Sequence, residues 1–262
     1  MNSTGRYPNF KQGILLLLLF LVLQVGLIIT IIALEILLFG PQLLKFVKNL
    51  IPFLAITVIL VLGCRKNGES CRQSYPLGPF PAALLPPMLL ALLGLGIVVS
   101  ELDNLLQQFL PLPEWFSDIF AGGGPELLLI AVILAPVLEE LLFRGLMLRG
   151  FLTHHSTAKA ILGSALLFAV AHFNPWQFAT AFCAGLLFGW WFLHTGSLLP
   201  CIVGHAVHNG LPFLLLLLQL EIPGYTVPGS FQPFWFDLLG VLLLAAGILL
   251  LRRKFAEQDG RQ

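Results

Sequence analysis

Eight apolar runs, most of them long enough for a helix to cross a bilayer, divide this chain of 262 residues. A membrane-spanning helix needs about 20 mainly apolar residues to cross roughly 30 Å of hydrocarbon. Backbone groups in lipid must be hydrogen-bonded within the structure, so such runs fold as helices. The runs therefore predict an all-α polytopic membrane protein with about eight transmembrane helices. The predicted spans are residues 13–39, 50–64, 82–99, 126–152, 159–173, 177–194, 198–220 and 234–251.

The overall composition agrees with a membrane protein and argues against a nucleic-acid partner. Hydrophobic residues make up 58% of the chain and charged residues only 10%, against about 25% charged in soluble domains. The net charge is +1, and no basic run is long enough to indicate nucleic-acid binding. The first twelve residues lack a small-residue cleavage signal, so we expect the first helix to be retained.

The cysteines show no spacing that is typical of a metal site. None of the four forms a CxxC pair, and two lie inside apolar runs. We therefore interpret them as reduced thiols rather than as a disulfide framework or metal ligands. The cysteines are Cys64, Cys71, Cys183 and Cys201.

The distribution of basic residues predicts the orientation of the chain. If both termini are cytoplasmic, eleven of the fourteen lysines and arginines lie on the cytoplasmic side. Only Lys45 and Lys48 lie on the opposite side, and Arg144 lies within a span. Cytoplasmic loops carry an excess of lysine and arginine. The sequence therefore predicts that both termini are cytoplasmic.

Two segments have the mixed character of helices that lie on a membrane surface. Residues 41–49 combine two lysines with apolar neighbours and predict a short interfacial helix. In residues 100–124, four apolar side chains recur at helical spacing among acids and amides, which predicts a longer amphipathic surface helix. Trp115 follows it and fits an interfacial anchor. A glycine-rich break at 122–125 precedes the next span.

Three charged residues lie inside the apolar run 127–148, namely Glu139, Glu140 and Arg144. Each costs about 2.5–3.5 kcal/mol at the centre of a membrane helix on insertion scales. Glu140 and Arg144 are four residues apart and share a helix face, so we expect an ion pair between them. Glu139 points about 100° away on a helix of 3.6 residues per turn. We expect Glu139 to face a polar group on another helix, either as part of a reactive site or as interhelical glue.

Candidate partners for Glu139 occur on two later spans. His172 follows Phe168 by four residues, and Asn209 follows His205 by four residues, so each pair lines one helix face. A carboxylate beside imidazoles in a low-dielectric pocket can take a proton from water and pass it to a leaving amine. A neutral imidazole and an asparagine amide can donate hydrogen bonds to a developing oxyanion.

These residues form three patterns that resemble those of a known family. Glu139-Glu140-x-x-x-Arg144, Phe168-x-x-x-His172 and His205-x-x-x-Asn209 are similar to the motifs of the CAAX-processing and bacteriocin-processing (CPBP) intramembrane proteases. That family includes the Ras-converting CAAX endopeptidase and bacterial abortive-infection proteins. The resemblance covers about residues 127–220, with the motifs in the family's order. It implies a fold of eight membrane helices with a polar intramembrane cavity, which we expect at mid-depth or in the cytoplasmic half.

The resemblance also implies a function and a role for each motif residue. The chain is expected to be an intramembrane endopeptidase that uses a glutamate-activated water and no cofactor. Glu139 and His172 would activate the water, and His205 and Asn209 would form the oxyanion site. The supporting residues would be Glu140, Arg144 and Phe168. His208, close to His205 on the helix, could line the same cavity, although no motif includes it.

Three alternatives remain open at this point. One glutamate and two histidines could also be zinc ligands, but the sequence has no HExxH stretch, and we favour a metal-free site. A non-catalytic membrane immunity or partner-binding protein would use the same fold. A transporter or proton relay would also bury glutamate and histidine, although no inverted repeat is visible.

The motifs divide the chain into three regions. Residues 1–125 hold the N-terminal transmembrane helices and the interfacial segment, residues 126–220 the catalytic core, and residues 221–262 the last transmembrane helix and a cytoplasmic tail. The expected partners are the lipid bilayer and a membrane-associated peptide or protein substrate, with no nucleic acid. Nothing in the sequence predicts an oligomeric state or the identity of the substrate.

Overall fold

The regular elements are all helices in the computed structural model, which describes residues 5–39, 45–113 and 125–260. Eight of the described helices are α-helical along their length, although Pro52 and Pro212 each lack the N–H of one helical hydrogen bond. A π-helical turn, Glu35–Phe39, continues the first helix, Phe10–Leu34. A 3₁₀ turn, Ala82–Leu84, precedes α4, whose two prolines occupy its first turn, where they break no hydrogen bond. The helices are α1 (Phe10–Leu34), α2 (Lys45–Asn67), α3 (Cys71–Ser74), α4 (Leu85–Phe109), α6 (Thr157–Ala171), α7 (Pro175–Thr195), α8 (Leu199–Leu217) and α9 (Phe234–Asp259).

The remaining helical run, residues 125–152, alternates between α and π geometry, and we call it α5. Its segments are Pro125–Leu129 (α), Ile130–Leu134 (π), Ala135–Glu140 (α), Leu141–Leu148 (π) and Arg149–Leu152 (α). A π turn bonds residue i to i+5 and widens the helix, and such turns are frequent at functional sites. The segment that ends with the glutamate pair is therefore flanked by π geometry on both sides.

The structure confirms the predicted all-α polytopic architecture. Within the described residues, six helices are long and apolar enough to span a membrane: Phe10–Leu37, Leu50–Asn67, Ala82–Phe109, Pro175–Thr195, Leu199–Leu217 and Phe234–Gln258. The other two predicted spans correspond to α5, which the π segments interrupt, and to α6, which is apolar but has only 15 residues. Many large apolar side chains on α1, α8 and α9 are exposed, as lipid-facing helices require.

The described helical residues of the two predicted interfacial helices, 45–49 and 100–109, belong to longer helices. Residues 45–49 begin α2, which continues through Pro52, and residues 100–109 complete α4 without a break at residue 99. Four polar residues of this segment, Ser100, Glu101, Asp103 and Asn104, form hydrogen bonds with the rest of the protein. The Asn104 side chain, for example, donates to the carbonyl of Gly224 over 2.7 Å. Trp115 and the break at 122–124 lie outside the described residues.

Helices α4 and α9 pack backbone to backbone because of glycine. A Cβ on Gly94 would lie 2.2 Å from the Leu244 nitrogen, and one on Gly247 would lie 2.3 Å from the Ala91 nitrogen. Helices α6 and α7 approach in the same way, since a Cβ on Gly185 would lie 2.9 Å from the Ala165 Cβ. Membrane helices associate through such small residues rather than through the hydrophobic effect.

One end of the bundle is tied together by polar contacts between distant segments, and we call it the basal end (residues 5–9, 65–78, 149–157 and 196–198). The Tyr7 backbone nitrogen donates to the Asn67 side chain over 2.9 Å, and Arg6 pairs with Glu69. Arg149 donates to the carbonyl of Gln73 over 2.9 Å. The N-terminal segment, the loop after α2 and the end of α5 are thereby held against one another.

The opposite end, which we call the distal end, comprises residues 110–113, 173–176 and 218–233. The Trp176 indole donates to the carbonyl of Leu110 over 2.9 Å. Gln232 donates to the Ser100 hydroxyl over 2.6 Å, and its backbone nitrogen donates to Glu101. These contacts hold the loop 218–233 against the last turns of α4.

Candidate active site

The charged residues of α5 form the buried centre of the site. Glu140 and Arg144 are both fully buried. Nη1 of Arg144 donates to Oε1 of Glu140 over 2.8 Å, so the predicted ion pair is present. The Glu139 side chain is 21% exposed, whereas that of Glu140 is 0% exposed. The two adjacent glutamates therefore differ in access as well as in direction.

His205 on α8 lies between the two glutamates. Its Nδ1 is 2.9 Å from Oε1 of Glu140, and its Nε2 is 3.8 Å from Oε2 of Glu139. A carboxylate only accepts hydrogen bonds, so Nδ1 carries a hydrogen when Glu140 is ionised. Nε2 then carries a hydrogen only if the imidazole is protonated. The sequence predicted that His205 and Glu139 are neighbours, but it assigned Glu140 to Arg144 alone.

Two phenylalanine rings pack against Arg144 and His205. The Arg144 guanidinium lies 4.4 Å from the ring centroid of Phe168 and 5.4 Å from that of Phe188. The same rings lie 5.6 Å and 5.7 Å from the His205 ring. Aromatic faces attract a guanidinium and can cover the nitrogens that make no hydrogen bond here. Phe168 belongs to a predicted motif, whereas Phe188 was missed because no motif marks it.

A glycine leaves room for this arginine between α6 and α7. A Cβ on Gly185 would lie 3.4 Å from Nη2 of Arg144 as well as in contact with Ala165. Gly189, one turn later, allows a similarly close approach, since a Cβ there would lie 3.1 Å from Ile161.

His172 lies at the C-terminal end of α6, where the chain leaves the helix. Asn174 caps the next helix by accepting from the Trp176 nitrogen, and Phe173 has a φ of 49°. Nδ1 of His172 is 2.8 Å from the carbonyl oxygen of Phe168, which can only accept, so Nδ1 carries the hydrogen. In the neutral ring, Nε2 then keeps a lone pair.

Two ring contacts show how the structure relates the two site histidines. The Phe168 ring lies 4.9 Å from the His172 ring and 5.6 Å from the His205 ring, with both pairs edge to face. Helix α6 begins at Thr157, with Ser156 in the N-cap position. The helix therefore starts two residues before the predicted span 159–173.

Asn209, about one turn after His205 on α8, also contacts α5. Its side-chain nitrogen donates to the carbonyl oxygen of Ala131 over 2.9 Å, within the π segment Ile130–Leu134. The sequence did not predict this contact, because it depends on the π geometry of α5. A side-chain amide nitrogen has two hydrogens. One N–H of Asn209 donates to the Ala131 carbonyl, and this bond does not use the second N–H.

A cavity of about 850 Å³ lies beside these residues, towards the distal end. His208 lines it, together with residues of α4, α7, α8 and the loop 219–227, but Glu139, His172, His205 and Asn209 do not. Its walls mix leucines with hydroxyls and carboxylates, as expected for a polar cavity within a membrane protein. Under the orientation predicted from basic residues, this cavity lies in the outer half rather than at the cytoplasmic side.

The site brings together a carboxylate, imidazoles and an amide, which are groups suited to proton transfer and oxyanion binding. Among the described residues, no three histidine, cysteine, aspartate or glutamate side chains form a group that could hold a metal ion.

Comparison with known proteins gives a family match. The sequence model of the Rce1-like family, described as type II CAAX prenyl endopeptidase Rce1-like, matches residues 124–211. No curated protein and no solved structure matches the chain. The matched segment contains the glutamate pair, both histidines of the site and Asn209, and it extends from the start of α5 into α8. The match over residues 124–211, which hold all three motifs in order, supports the assignment of this integral, multi-pass membrane protein to the CAAX-protease-like (CPBP) family.

Proposed function

We propose that this protein is an intramembrane endopeptidase that hydrolyses a peptide bond in a membrane-associated protein or peptide, with water activated by Glu139. The observation that carries the proposal is the position of His205 between the two glutamates, 2.9 Å from Glu140 and 3.8 Å from Glu139. A purely structural ion pair would need Glu140 and Arg144. It would not need Glu139, a partly exposed carboxylate on the other side of the His205 imidazole.

Glu139 is proposed as the general base. Its carboxylate takes a proton from a water molecule while the water oxygen bonds to the carbonyl carbon of the substrate. His172 orients that water by accepting a hydrogen bond at Nε2, because its Nδ1 hydrogen is directed to the Phe168 carbonyl. The electron pair of the carbonyl double bond moves to oxygen and forms an oxyanion.

His205 and Asn209 are proposed as donors to that oxyanion. Because Nδ1 of His205 donates to Glu140, its Nε2 donates only in the imidazolium form, so the mechanism requires a protonated His205. Asn209 contributes the amide hydrogen that Ala131 does not use. Such preorganised donors lower the barrier by about 3–4 kcal/mol each in well-studied enzymes.

Collapse of the tetrahedral intermediate completes the reaction. The carbonyl forms again, the bond from carbon to nitrogen breaks, and the protonated Glu139 gives its proton to the leaving amine. One peptide bond and one water thereby yield one carboxylic acid and one amine, and Glu139 returns to its ionised state. Glu140 and Arg144 stay paired throughout and fix the orientation of His205.

The proposed substrate class follows from the family and from the membrane location. The matched family is described as a CAAX prenyl endopeptidase, and a protease embedded in the bilayer acts on substrates that reach it there. We propose that the region 126–220 is the catalytic core and that both chain termini lie on the cytoplasmic side.

A comparison of membrane proteomes tests the function before any substrate is identified. Cells that carry Glu139→Gln are expected to accumulate uncut membrane proteins, and the new termini that cleavage creates should appear only with the unaltered chain. Identical sets of termini in both strains would contradict the proposal. Incubation of the purified protein with a chelator distinguishes a glutamate mechanism from a zinc mechanism. The glutamate mechanism predicts an unchanged cleavage rate, whereas a zinc mechanism predicts a loss of activity that added zinc restores.

A further inference from the structure

The cavity at the distal end is large enough to hold part of a ligand. It encloses about 850 Å³ between α4, α7, α8 and the loop 219–227, and ligand pockets in proteins measure about 300–1,000 Å³. His208 forms part of its wall, three residues after His205 on α8. Three residues of α-helix rise about 4.5 Å. The cavity therefore adjoins the proposed catalytic residues without containing them.

The wall of this cavity carries negative charge and no positive charge. Asp103 on α4 and Glu221 on the loop both line it, whereas no lysine or arginine does so among the described residues. Ionisable residues within membrane segments usually mark the path of a substrate or an ion, because they are costly to bury. The charge of the wall therefore fits a cationic occupant.

Asp103 has one oxygen that the protein does not use. Its Oδ2 accepts a hydrogen bond from the Thr180 hydroxyl over 2.8 Å. Its Oδ1 is buried and accepts no hydrogen bond from the described residues. A buried acceptor without a partner costs about 1–3 kcal/mol, and more if it is charged. A positive charge in the adjoining cavity would stabilise the ionised Asp103 carboxylate.

The neighbours of Asp103 on α4 have structural partners, and this contrast singles Asp103 out. Ser100 accepts from Gln232 over 2.6 Å, Glu101 accepts from the Gln232 backbone, and Asn104 donates to the Gly224 carbonyl over 2.7 Å. All three hold the loop that closes the distal end. Asp103 lines the cavity and makes no such contact with the loop.

We propose that this cavity is a substrate subsite for a basic side chain, in which Asp103 binds the lysine or arginine of a peptide near the bond to be cut. The proposal rests on the proposed endopeptidase function and adds a substrate class to it. The leucine walls accommodate the apolar stem of such a side chain, and the Asp103 carboxylate pairs with its charged end.

Direct binding tests the subsite without turnover. The Glu139→Gln chain in detergent micelles is titrated with a fluorescent apolar peptide that carries a single lysine, and with matched peptides that carry norleucine or glutamate instead. We expect the lysine peptide to bind about tenfold or more tightly than the norleucine peptide, because an unpaired buried carboxylate discriminates against a ligand that lacks the donor. Equal affinities for the two peptides would overturn the proposal, and this comparison needs no change at Asp103.

A variant at Asp103 assigns the preference to its carboxylate. Adding Asp103→Asn is expected to bring the affinities of the lysine and norleucine peptides within about twofold of each other, because it removes the charge that the lysine pairs with. The matched control is Glu126→Gln, which removes one exposed carboxylate from the start of α5 without touching the cavity, and it is expected to keep the preference. A full lysine preference in the Asp103→Asn chain would overturn the assignment.

Two further outcomes separate this inference from its rivals. A lysine preference that phosphatidylethanolamine abolishes and phosphatidylcholine does not would show that a lipid ammonium group occupies the cavity, and would overturn the peptide subsite. Selective lysine binding together with no cleavage by the unaltered chain would support the subsite and contradict the endopeptidase proposal.

Discussion

Glu140 and His205 are 65 residues apart in sequence and share a hydrogen bond of 2.9 Å in the buried centre of the protein. Arg144 donates to the same carboxylate oxygen over 2.8 Å. Glu140 therefore links the Arg144 guanidinium on α5 to the His205 imidazole on α8. Glu140 therefore holds His205 in position, and Glu139 is the carboxylate that we propose as the general base.

Glu140→Gln is expected to destabilise the protein as well as to inactivate it. Removing one partner of a buried ion pair leaves an uncompensated charge on Arg144 and costs about 3–5 kcal/mol. The measurement is thermal unfolding in detergent, with the exposed Glu126→Gln as the control. The double variant Glu140→Leu with Arg144→Leu should recover much of the stability but none of the activity. Full stability in Glu140→Gln alone would contradict the buried pair.

Phe188→Leu is expected to lower the turnover rate while the affinity for substrate changes little. The Phe188 ring is fully buried and stacks 5.7 Å from the His205 ring, so its loss lets the imidazole shift. Small misplacements of a catalytic group cost about tenfold to a hundredfold in rate. Phe178→Leu is the control on the same helix, because that ring is 39% exposed. A reduced rate in both variants alike would argue against a specific role for Phe188.

Gly185→Ala is expected to destabilise the bundle by about 1–3 kcal/mol, as overpacking of a close interface does. The added methyl group would lie 2.9 Å from the Ala165 Cβ and 3.4 Å from Nη2 of Arg144. Gly26→Ala on α1 is the control, because no atom lies within 4 Å of a Cβ there. If Gly185→Ala and Gly26→Ala lowered the unfolding temperature equally, the close approach of α6 and α7 would be contradicted.

The basal end is expected to loosen in acid because of Glu69. Partial burial raises the pKa of this carboxyl, but the hydrogen bond and charge of Arg6, the hydrogen bond from Ser74 and the charge of Arg149 outweigh it, so the net pKa is lowered. A lowered folded pKa contributes stability that is present above the unfolded pKa and is lost as the pH falls through the folded pKa. The protection of the amides of residues 5–9 against hydrogen exchange, corrected for the intrinsic rate at each pH, should therefore fall below the normal titration range of glutamate.

Glu69→Gln tests this assignment. In that variant the protection of residues 5–9, corrected for the intrinsic exchange rate, should already be low at neutral pH and should change little in acid, since the titrating group is gone. Glu257→Gln on α9 serves as the control, because Glu257 makes none of the basal contacts described above. An acid response that persists in Glu69→Gln would show that another group controls this end.

The helices and the motif residues were predictable from the sequence because each depends on local spacing. Runs of apolar residues specify helices in lipid, and the i,i+4 relation of Glu140 and Arg144 follows from helix geometry alone. The ends of α2 and α4 were wrong by several residues. Polar groups such as Asn104 indicated a membrane surface, whereas in the structure they bind a loop that comes much later in the sequence.

Contacts between distant helices were not predictable, since no spacing rule specifies them. The bond from His205 to Glu140 and the stacking of Phe188 both depend on how α5, α7 and α8 pack. The π segments of α5 could not be predicted either, because the same residues can form α or π hydrogen bonds. Cys64 and Cys71 lack CxxC spacing, yet their sulfurs lie 3.4 Å apart, because the short helix α3 turns the chain back towards the end of α2.

The most direct test of the proposed mechanism is peptide-bond cleavage by the purified protein in liposomes, with a substrate identified by the proteomic comparison. The unaltered chain should release a product with a new carboxyl terminus, and Glu139→Gln should release none while its unfolding temperature stays within a few degrees of the unaltered chain. Cleavage at the same bond and at an unchanged rate by Glu139→Gln would contradict the assignment of Glu139 as the base that activates water.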